Sequence, residues 1–366
     1  MMIGFCAFYS SATNCASSWA GFTDSGGATQ NTVSKRNTTL NRLSFYTEAA
    51  GTLVAEANIT ITGTGFTATW TGDAGSRIFN YEADGGSSIT ARVITASTPA
   101  ATGTQNYTVG FQPSVVFFTS GATASSSNTP ATPATNWGLS YGFCVGTDTL
   151  QTIGIGTQGT TAVATSVTSS WQLPNLLVWE SSSTTTIAWQ AACTAMGATT
   201  FTLNWSITAG NTGPDLVFLA IAGGTWIGGV STQPVVTGNQ TFTTTGNTPV
   251  GISMISFNHT NSATNVTHAR LSIGGSDGTN YFSNFVGLKN GATIQVASTS
   301  MVQNLLFRTM TEASAAPTTQ ASVNTVSFST GSAVINWNVV DTAREFGWLT
   351  IGDTSVVGSA VKHKML

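Results

Sequence analysis

Apolar and polar residues alternate along this chain with a period of two, the spacing of a strand that buries one face. Clear cases are Phe66-Thr-Ala-Thr-Trp70, Phe201-Thr-Leu-Asn-Trp205 and Ala333-Val-Ile-Asn-Trp337. The longest apolar run, Leu216 to Ala222, has the length of a strand. Clusters of Gly, Asn, Asp and Ser punctuate these segments as turns do. No segment reads as a helix, so the expectation is an all-β chain.

The strands also repeat. The three Trp residues just named lie 135 and 132 positions apart. After each comes a polar loop and a second strand: Ile78-Phe-Asn-Tyr81, Val217-Phe-Leu-Ala220 and Gly347-Trp-Leu-Thr350. These pairs read as hairpins with one aromatic on each strand. Other landmarks recur in the same order. Asn41-Arg-Leu43, Asn175-Leu-Leu177 and Asn304-Leu-Leu306 precede the Trp strands, and Leu139-Ser-Tyr-Gly142 matches Leu271-Ser-Ile-Gly274. Thr102-Gly-Thr-Gln-Asn-Tyr-Thr108 matches Thr237-Gly-Asn-Gln-Thr-Phe-Thr243. The expected organisation is three tandem related β-sandwich units, jelly-roll-like, at 1–86, 87–224 and 225–353, with a tail at 354–366. Unit 1 lacks the opening stretch of about 25 residues that the other two have. The tail segment Thr354-Ser-Val-Val-Gly-Ser-Ala-Val361 lines up with Thr225-Trp-Ile-Gly-Gly-Val230. It is a candidate donated strand, within the chain or to a neighbour, because a missing strand leaves an edge that templates pairing.

Composition narrows the function. The 366 residues include 11 Lys+Arg and 14 Asp+Glu, so charged residues are 7 % of the chain, against about 25 % in an ordinary soluble domain. Ser and Thr together make up about 29 % of the chain. So few charges cannot furnish the solvent faces of many helices, and disorder goes with few aromatics, whereas Trp alone numbers 10. A net charge of −3 argues against nucleic acid, which is bound through clustered Lys and Arg. No apolar run approaches the roughly 18 residues of a membrane-spanning helix, so no membrane insertion is expected. The N-terminus lacks the basic and long apolar regions of a signal peptide.

Catalytic chemistry finds little material, and the expectation is a non-enzyme without cofactor or metal. His259 and His268 sit in an Asn-rich stretch with no carboxylate nearer than Asp277, and His363 lies between two lysines. Neither a metal triad nor a Ser-His-Asp triad is indicated. Asp24, Asp148 and Asp277 occupy turns, and Asp277-Gly278 is a hairpin signal rather than a calcium site. Glu48 and Glu56 flank the short Ala-Gly-Thr turn and read as a solvated surface rather than an acid/base pair. Gly154-Ile-Gly-Thr-Gln-Gly159 fits a dinucleotide pattern but is followed by a strand-like sequence, not a helix. Seven N-x-S/T sequons match the roughly seven that this Asn and Ser/Thr content yields by chance. Cys6, Cys15, Cys144 and Cys193 form no C-x-x-C pair. Cys6–Cys15 and Cys144–Cys193 disulfides are open alternatives to the favoured free, buried thiols. Trp70, Trp205 and Trp337 are assigned to unit cores. Trp171, Trp189 and Trp226 lack counterparts in the other units and are candidates for glycan or partner contact, local packing being the competing reading.

The strand Gly110-Phe-Gln-Pro-Ser-Val-Val-Phe-Phe118, with Phe201-Thr-Leu-Asn-Trp205 and Leu216-Val-Phe-Leu-Ala-Ile-Ala-Gly-Gly224, resembles Gly/Thr-rich repeat modules in structural proteins of tailed bacteriophages and prophages. The likeness is clearest in unit 2. It implies a virion component, tail- or fibre-associated or decorating the capsid, assembled in the host cytoplasm and released by lysis. Its partners would be copies of itself, other virion proteins and a host cell-surface glycan. No active-site residue comes with it. The rival readings are a carbohydrate-binding adhesin module and a subunit of an extracellular filament or surface layer.

Overall fold

A computed structural model describes residues 2–23, 31–37, 42–46, 53–62, 65–72, 78–83, 88–121, 136–137, 139–145, 151–160, 168–174, 177–180, 187–208, 215–259, 269–288, 297–311, 318–352 and 360–365. The described residues form 29 strands and no helix. The first seven are β1 (Met2–Tyr9), β2 (Ala12–Thr23), β3 (Asn31–Asn37), β4 (Arg42–Tyr46), β5 (Leu53–Thr62), β6 (Gly65–Thr71) and β7 (Ile78–Ala83). Eleven follow: β8 (Thr90–Ser97), β9 (Gly103–Thr108), β10 (Val115–Gly121), β11 (Asn136–Trp137), β12 (Leu139–Val145), β13 (Gln151–Thr160), β14 (Thr168–Pro174), β15 (Leu177–Glu180), β16 (Ile187–Met196), β17 (Thr200–Ile207) and β18 (Asp215–Ala222). The remainder are β19 (Thr225–Thr232), β20 (Gly238–Thr243), β21 (Gly251–His259), β22 (Ala269–Ser276), β23 (Tyr281–Leu288), β24 (Ala297–Val302), β25 (Phe307–Met310), β26 (Thr319–Ser329), β27 (Ser332–Val339), β28 (Glu345–Gly352) and β29 (Ala360–Met365).

All ladders among the described residues are antiparallel. One large sheet runs β8-β18-β10-β12-β13, with β11 and β14 both pairing β13, and it faces a small sheet β9-β17-β16-β15. A second large sheet runs β19-β28-β21-β22-β23-β24 and faces β20-β27-β26-β25. Matching β8 to β19 and β9 to β20 makes the two strand orders the same. The N-terminal part forms β1-β2-β3, β4-β5-β6 and β7-β29. Here Cys15 of β2 packs on Ala57 and Ile59 of β5.

The large sheets are buried on both faces, and alternate residues of one strand serve two different cores. Val115 and Phe117 of β10 enter a central cluster, while Val116 and Phe118 enter the core between the two facing sheets. Val217 and Ile221 of β18 face the centre, and Leu216, Phe218 and Ala220 face the opposite way. Every residue of β12 is buried. This explains the unbroken apolar run at Leu216 to Ala222: two apolar faces cancel the alternation that a half-buried strand shows. The central cluster joins all three parts of the chain, from Phe5 through Phe117, Tyr141 and Phe143 to Trp226 and Leu349. Phe117 lies 6.2 Å from Phe5, 6.2 Å from Phe143 and 5.9 Å from Trp226, the last edge-on.

The Trp strands and their successors do not form hairpins. β17 ladders with β16 and β9, whereas β18 ladders with β10 and β8, so the connection arches from one sheet to the other. The aromatics therefore meet across the sandwich instead of along a ladder. Phe201 and Phe218 are 5.0 Å apart, and Trp337 and Phe346 are 5.5 Å apart. Two strands whose inward faces are both apolar bury more surface by facing each other than by lying side by side.

All four cysteines are paired, which corrects the expectation of free thiols. Cys6 and Cys15 stand directly opposite on β1 and β2. Cys144 of β12 and Cys193 of β16 face each other inside one sandwich and tie its two sheets together.

β29 pairs with β7 of the same chain. Ala360 stands opposite Ala83, as Thr225 stands opposite Gly352 in β19·β28. The strand is thus Ala360–Met365, six residues beyond the sequence alignment, which had set Thr354 against Thr225.

Three outcomes are expected. Phe117→Ala should cost about 3–5 kcal/mol in urea unfolding, since it opens a cavity where all three parts of the chain meet. Joint Cys144→Ala and Cys193→Ala replacement should cost about 4 kcal/mol by the loop-entropy relation for a separation of 49 residues. Deleting 354–366 should lower the melting temperature by uncovering β7; an unchanged melting curve would show that β29 contributes nothing to the fold.

Candidate functional site

Of the three unshared tryptophans, two lie inside cores. Trp226 is 7 % exposed, edge-on to Phe117, and its Nε1 donates to the Gly223 carbonyl at 2.8 Å. Trp189 is also 7 % exposed, in the core between β10-β12-β18 and the small sheet. Sugar stacking needs an open ring face, and neither ring offers one. Trp171 lies on β14 opposite Gly156, and its side chain is outside the described residues. Among the repeated tryptophans, Trp205 donates to the Tyr107 hydroxyl at 3.3 Å and Trp337 to Gln240 Oε1 at 2.8 Å. Burial pushes the Tyr107 hydroxyl up to about 12, against the smaller lowering effect of the Trp205 bond.

Of the polar candidates, Asp277 is a turn residue: its Oδ1 accepts from the Thr279 and Asn280 amides at 2.9 and 2.7 Å. Glu56 accepts from Arg42 at 2.8 Å and Ser44 at 3.1 Å. Gly154, Gly156 and Gly159 lie within strand β13, so they do not open a phosphate-binding loop. Asp24, Glu48, Asp148 and His268 lie outside the described residues, as do the side chains of His259 and His363. Among the described residues no group of three His, Cys, Asp or Glu is placed to hold a metal ion.

The structure instead presents an apolar loop tip. Val235 and Val236 are 61 % and 70 % exposed, the two most exposed large apolar residues described. They follow Gln233 and Pro234 in the connection from β19 to β20. Gln233 is buried; its backbone N–H donates to the Arg344 carbonyl at 2.7 Å, and its amide donates to the Thr342 carbonyl at 2.9 Å and to Asp341 Oδ1 at 3.3 Å. Arg344 completes the clamp with Nη2 2.6 Å and Nε 3.2 Å from the Asp341 carboxylate. Burial raises the Asp341 carboxyl, but the Arg344 bonds and charge, the Thr342 amide and Gln233 outweigh it and hold it below its ordinary value.

Thr98-Pro99-Ala100-Ala101-Thr102-Gly103 occupies the same place between β8 and β9 that Gln233-Pro-Val-Val-Thr-Gly238 occupies between β19 and β20. Gly103 and Gly238 both have positive φ, at 125° and 140°. The two loops differ in the clamp residue and in Ala against Val at the tip. Sequence reading missed this site, although a pair of valines after Pro in a turn was a visible signal. The other large exposed apolar residues, Phe8, Leu53 and Met301, are dispersed along the sequence, and single exposed apolar residues are ordinary.

No protein-family model matches the chain, and neither a curated protein nor a solved structure does.

Because the Asp341 carboxyl is held down, the clamp contributes stability above the unfolded value of 3.8 and loses it as pH falls through the lower folded value. The methyl resonances of Val235 and Val236 should therefore stay fixed from neutral pH down to about 5 and shift only below about 4. Arg344→Ala should cost about 1 kcal/mol and move the same resonances at neutral pH.

Proposed function

We propose that this chain is a structural subunit of a tailed-bacteriophage particle, tail- or fibre-associated or decorating the capsid, and that it works through contact with copies of itself and other virion proteins. The observation that carries the reading is the Val235–Val236 tip. A rigid hydrogen-bonded clamp holds two β-branched apolar side chains out in water. Exposed apolar surface on an ordered support favours protein contact. The Gly/Thr-rich strands that resemble phage structural modules lie in the same scaffold.

Three features support a subunit that works outside a cell. Disulfides persist in oxidising surroundings, and both cysteine pairs are closed. The described strands β10, β12 and β18 are buried on both faces, and a buried strand is a poor substrate for a protease. The scarcity of charge weakens mutual repulsion between copies. The adhesin reading loses two of its three candidate faces, Trp189 and Trp226, and the third, Trp171, has its side chain outside the described residues.

Val235→Asp with Val236→Asp should leave the melting temperature within about 2 °C, because exposed positions tolerate substitution. The same variant should lower self-association in sedimentation, or incorporation into particles. Mass spectrometry of purified particles from cells expressing the chain should find it at stoichiometric copy number. Recovery solely as a free monomer in the lysate would count against the virion reading.

A further inference from the structure

The two small sheets that face the large ones have unlike edges. In the order β9-β17-β16-β15, the far edge β15 is four residues long, has a register shift at Trp179/Glu180 and ends in a charged residue. In the order β20-β27-β26-β25, the far edge β25 is also four residues long, has a shift at Thr309/Met310 and carries Arg308. Shortness, bulges and charge are the devices by which natural sheets keep their edges from pairing with other chains.

β9 and β20, at the opposite edges, carry none of these devices. Each is six residues long and runs along its neighbour without a register shift. β9 reads Gly103-Thr-Gln-Asn-Tyr-Thr108 and β20 reads Gly238-Asn-Gln-Thr-Phe-Thr243, with no Lys, Arg, Asp, Glu or Pro in either.

Hydrogen-bond direction shows which groups these edges offer. Val109 donates to the Thr199 carbonyl at 2.9 Å and Thr244 to the Gly331 carbonyl at 2.8 Å, so these amides point toward β17 and β27. Alternation then turns the backbone N–H and C=O of Thr104, Asn106 and Thr108 away from β17, and those of Asn239, Thr241 and Thr243 away from β27. All six residues are exposed. None of their N–H groups donates to a described residue. The intervening side chains hold each edge from inside. Tyr107 and Phe242 are 5 % and 3 % exposed, Tyr107 stacks on Phe201 at 5.1 Å, and Gln240 accepts from Trp337 at 2.8 Å. The edges are ordered, flat and open.

We propose that the edges of β9 and β20 are self-association sites, each pairing antiparallel with a like edge of a second copy. The occupant follows from the edges themselves. Two such strands set Thr and Asn against Thr and Asn with no charge to repel, and neutral cross-strand pairs support a ladder. The net charge of −3 adds little repulsion between whole chains. Main-chain bonds supply the affinity, as in other strand additions. Because each copy carries two such edges, pairing extends past a dimer to a ring or a row of copies. The proposal is independent of the virion reading and uses a different surface from the valine tip.

The test is sedimentation of the full chain over a range of concentrations, with residue-resolved hydrogen exchange on the same samples. The wild-type mass should rise past that of a dimer. The amides of Thr104, Asn106, Thr108, Asn239, Thr241 and Thr243 should exchange about tenfold more slowly in the associated samples than in dilute ones. Asn106→Lys with Thr241→Lys, both at exposed positions, should keep the fold and leave a monomer, and either alone should stop assembly at no more than a dimer. Thr325→Lys with Ser327→Lys adds the same charge at exposed positions of β26, which is flanked on both sides, and should associate as the wild type does. A wild-type chain that stays monomeric up to millimolar concentration overturns the proposal, as does association that leaves the six amides unprotected, or an equal effect of the two lysine pairs. Val235→Asp with Val236→Asp should keep the edge amides protected at high concentration. Loss of that protection assigns the association to the valine tip, which overturns the edge proposal and leaves the valine-tip contact standing.

Discussion

Burial of the large sheets on both faces is the constraint on which the rest of this structure depends. A sheet with one wet face needs one apolar stripe per strand; here β10, β12 and β18 need two. Phe117, Tyr141, Phe143 and Val145 fill the centre, while Val116, Phe118 and Cys144 fill the sandwich beside it. Full burial of such side chains is worth about 1.5–3 kcal/mol each, so the centre binds the N-terminal, middle and C-terminal parts of the chain into one body. The exposed area of 13901 Å² agrees with the roughly 13,800 Å² of a compact monomer of 37.7 kDa. The chain therefore satisfies its own core before it meets any partner.

A shared centre makes closure of the chain a problem of edges. β7 needs a neighbour, and β29 arrives from the far end of the sequence to supply it. The long-range ladder fixes the C-terminal segment to the N-terminal part, and the Cys144–Cys193 bond fixes one small sheet to its large partner. Tyr9 interlocks the parts further: it packs 5.6 Å from Phe111, and Arg92 lies over its ring at 5.2 Å. A side chain at Gly110 would collide with the Tyr9 hydroxyl, and its φ of +88° already favours glycine. Among the described residues the most exposed large apolar side chains are the two of the valine tip.

How much was legible depended on the range of the interaction. Alternation at Phe201 to Trp205 placed a strand, because side-chain direction follows from the backbone alone. Recurrence of the Trp strands, and of the Gln-x-aromatic segments, marked corresponding positions in different sheets. The hairpin reading failed because alternation says which residues share a face and nothing about whether the next strand lies beside or above. The thiol reading failed for the same reason. Cys144 and Cys193 are 49 residues apart and meet only once two sheets are stacked. Trp226 looked available because no counterpart repeated it, yet among the described residues it is the aromatic that carries the third part of the chain into the centre.

By itself the sequence determined an all-β chain, its recurring strands and its shortage of charge, since these rest on side-chain periodicity and composition. Only the tertiary structure decided which sheet each strand joins, which core each face enters, how the cysteines pair and where β29 docks. Those outcomes depend on contacts between residues far apart in the chain, whose energies are set by the surface two sheets bury together and leave no periodic trace in either segment.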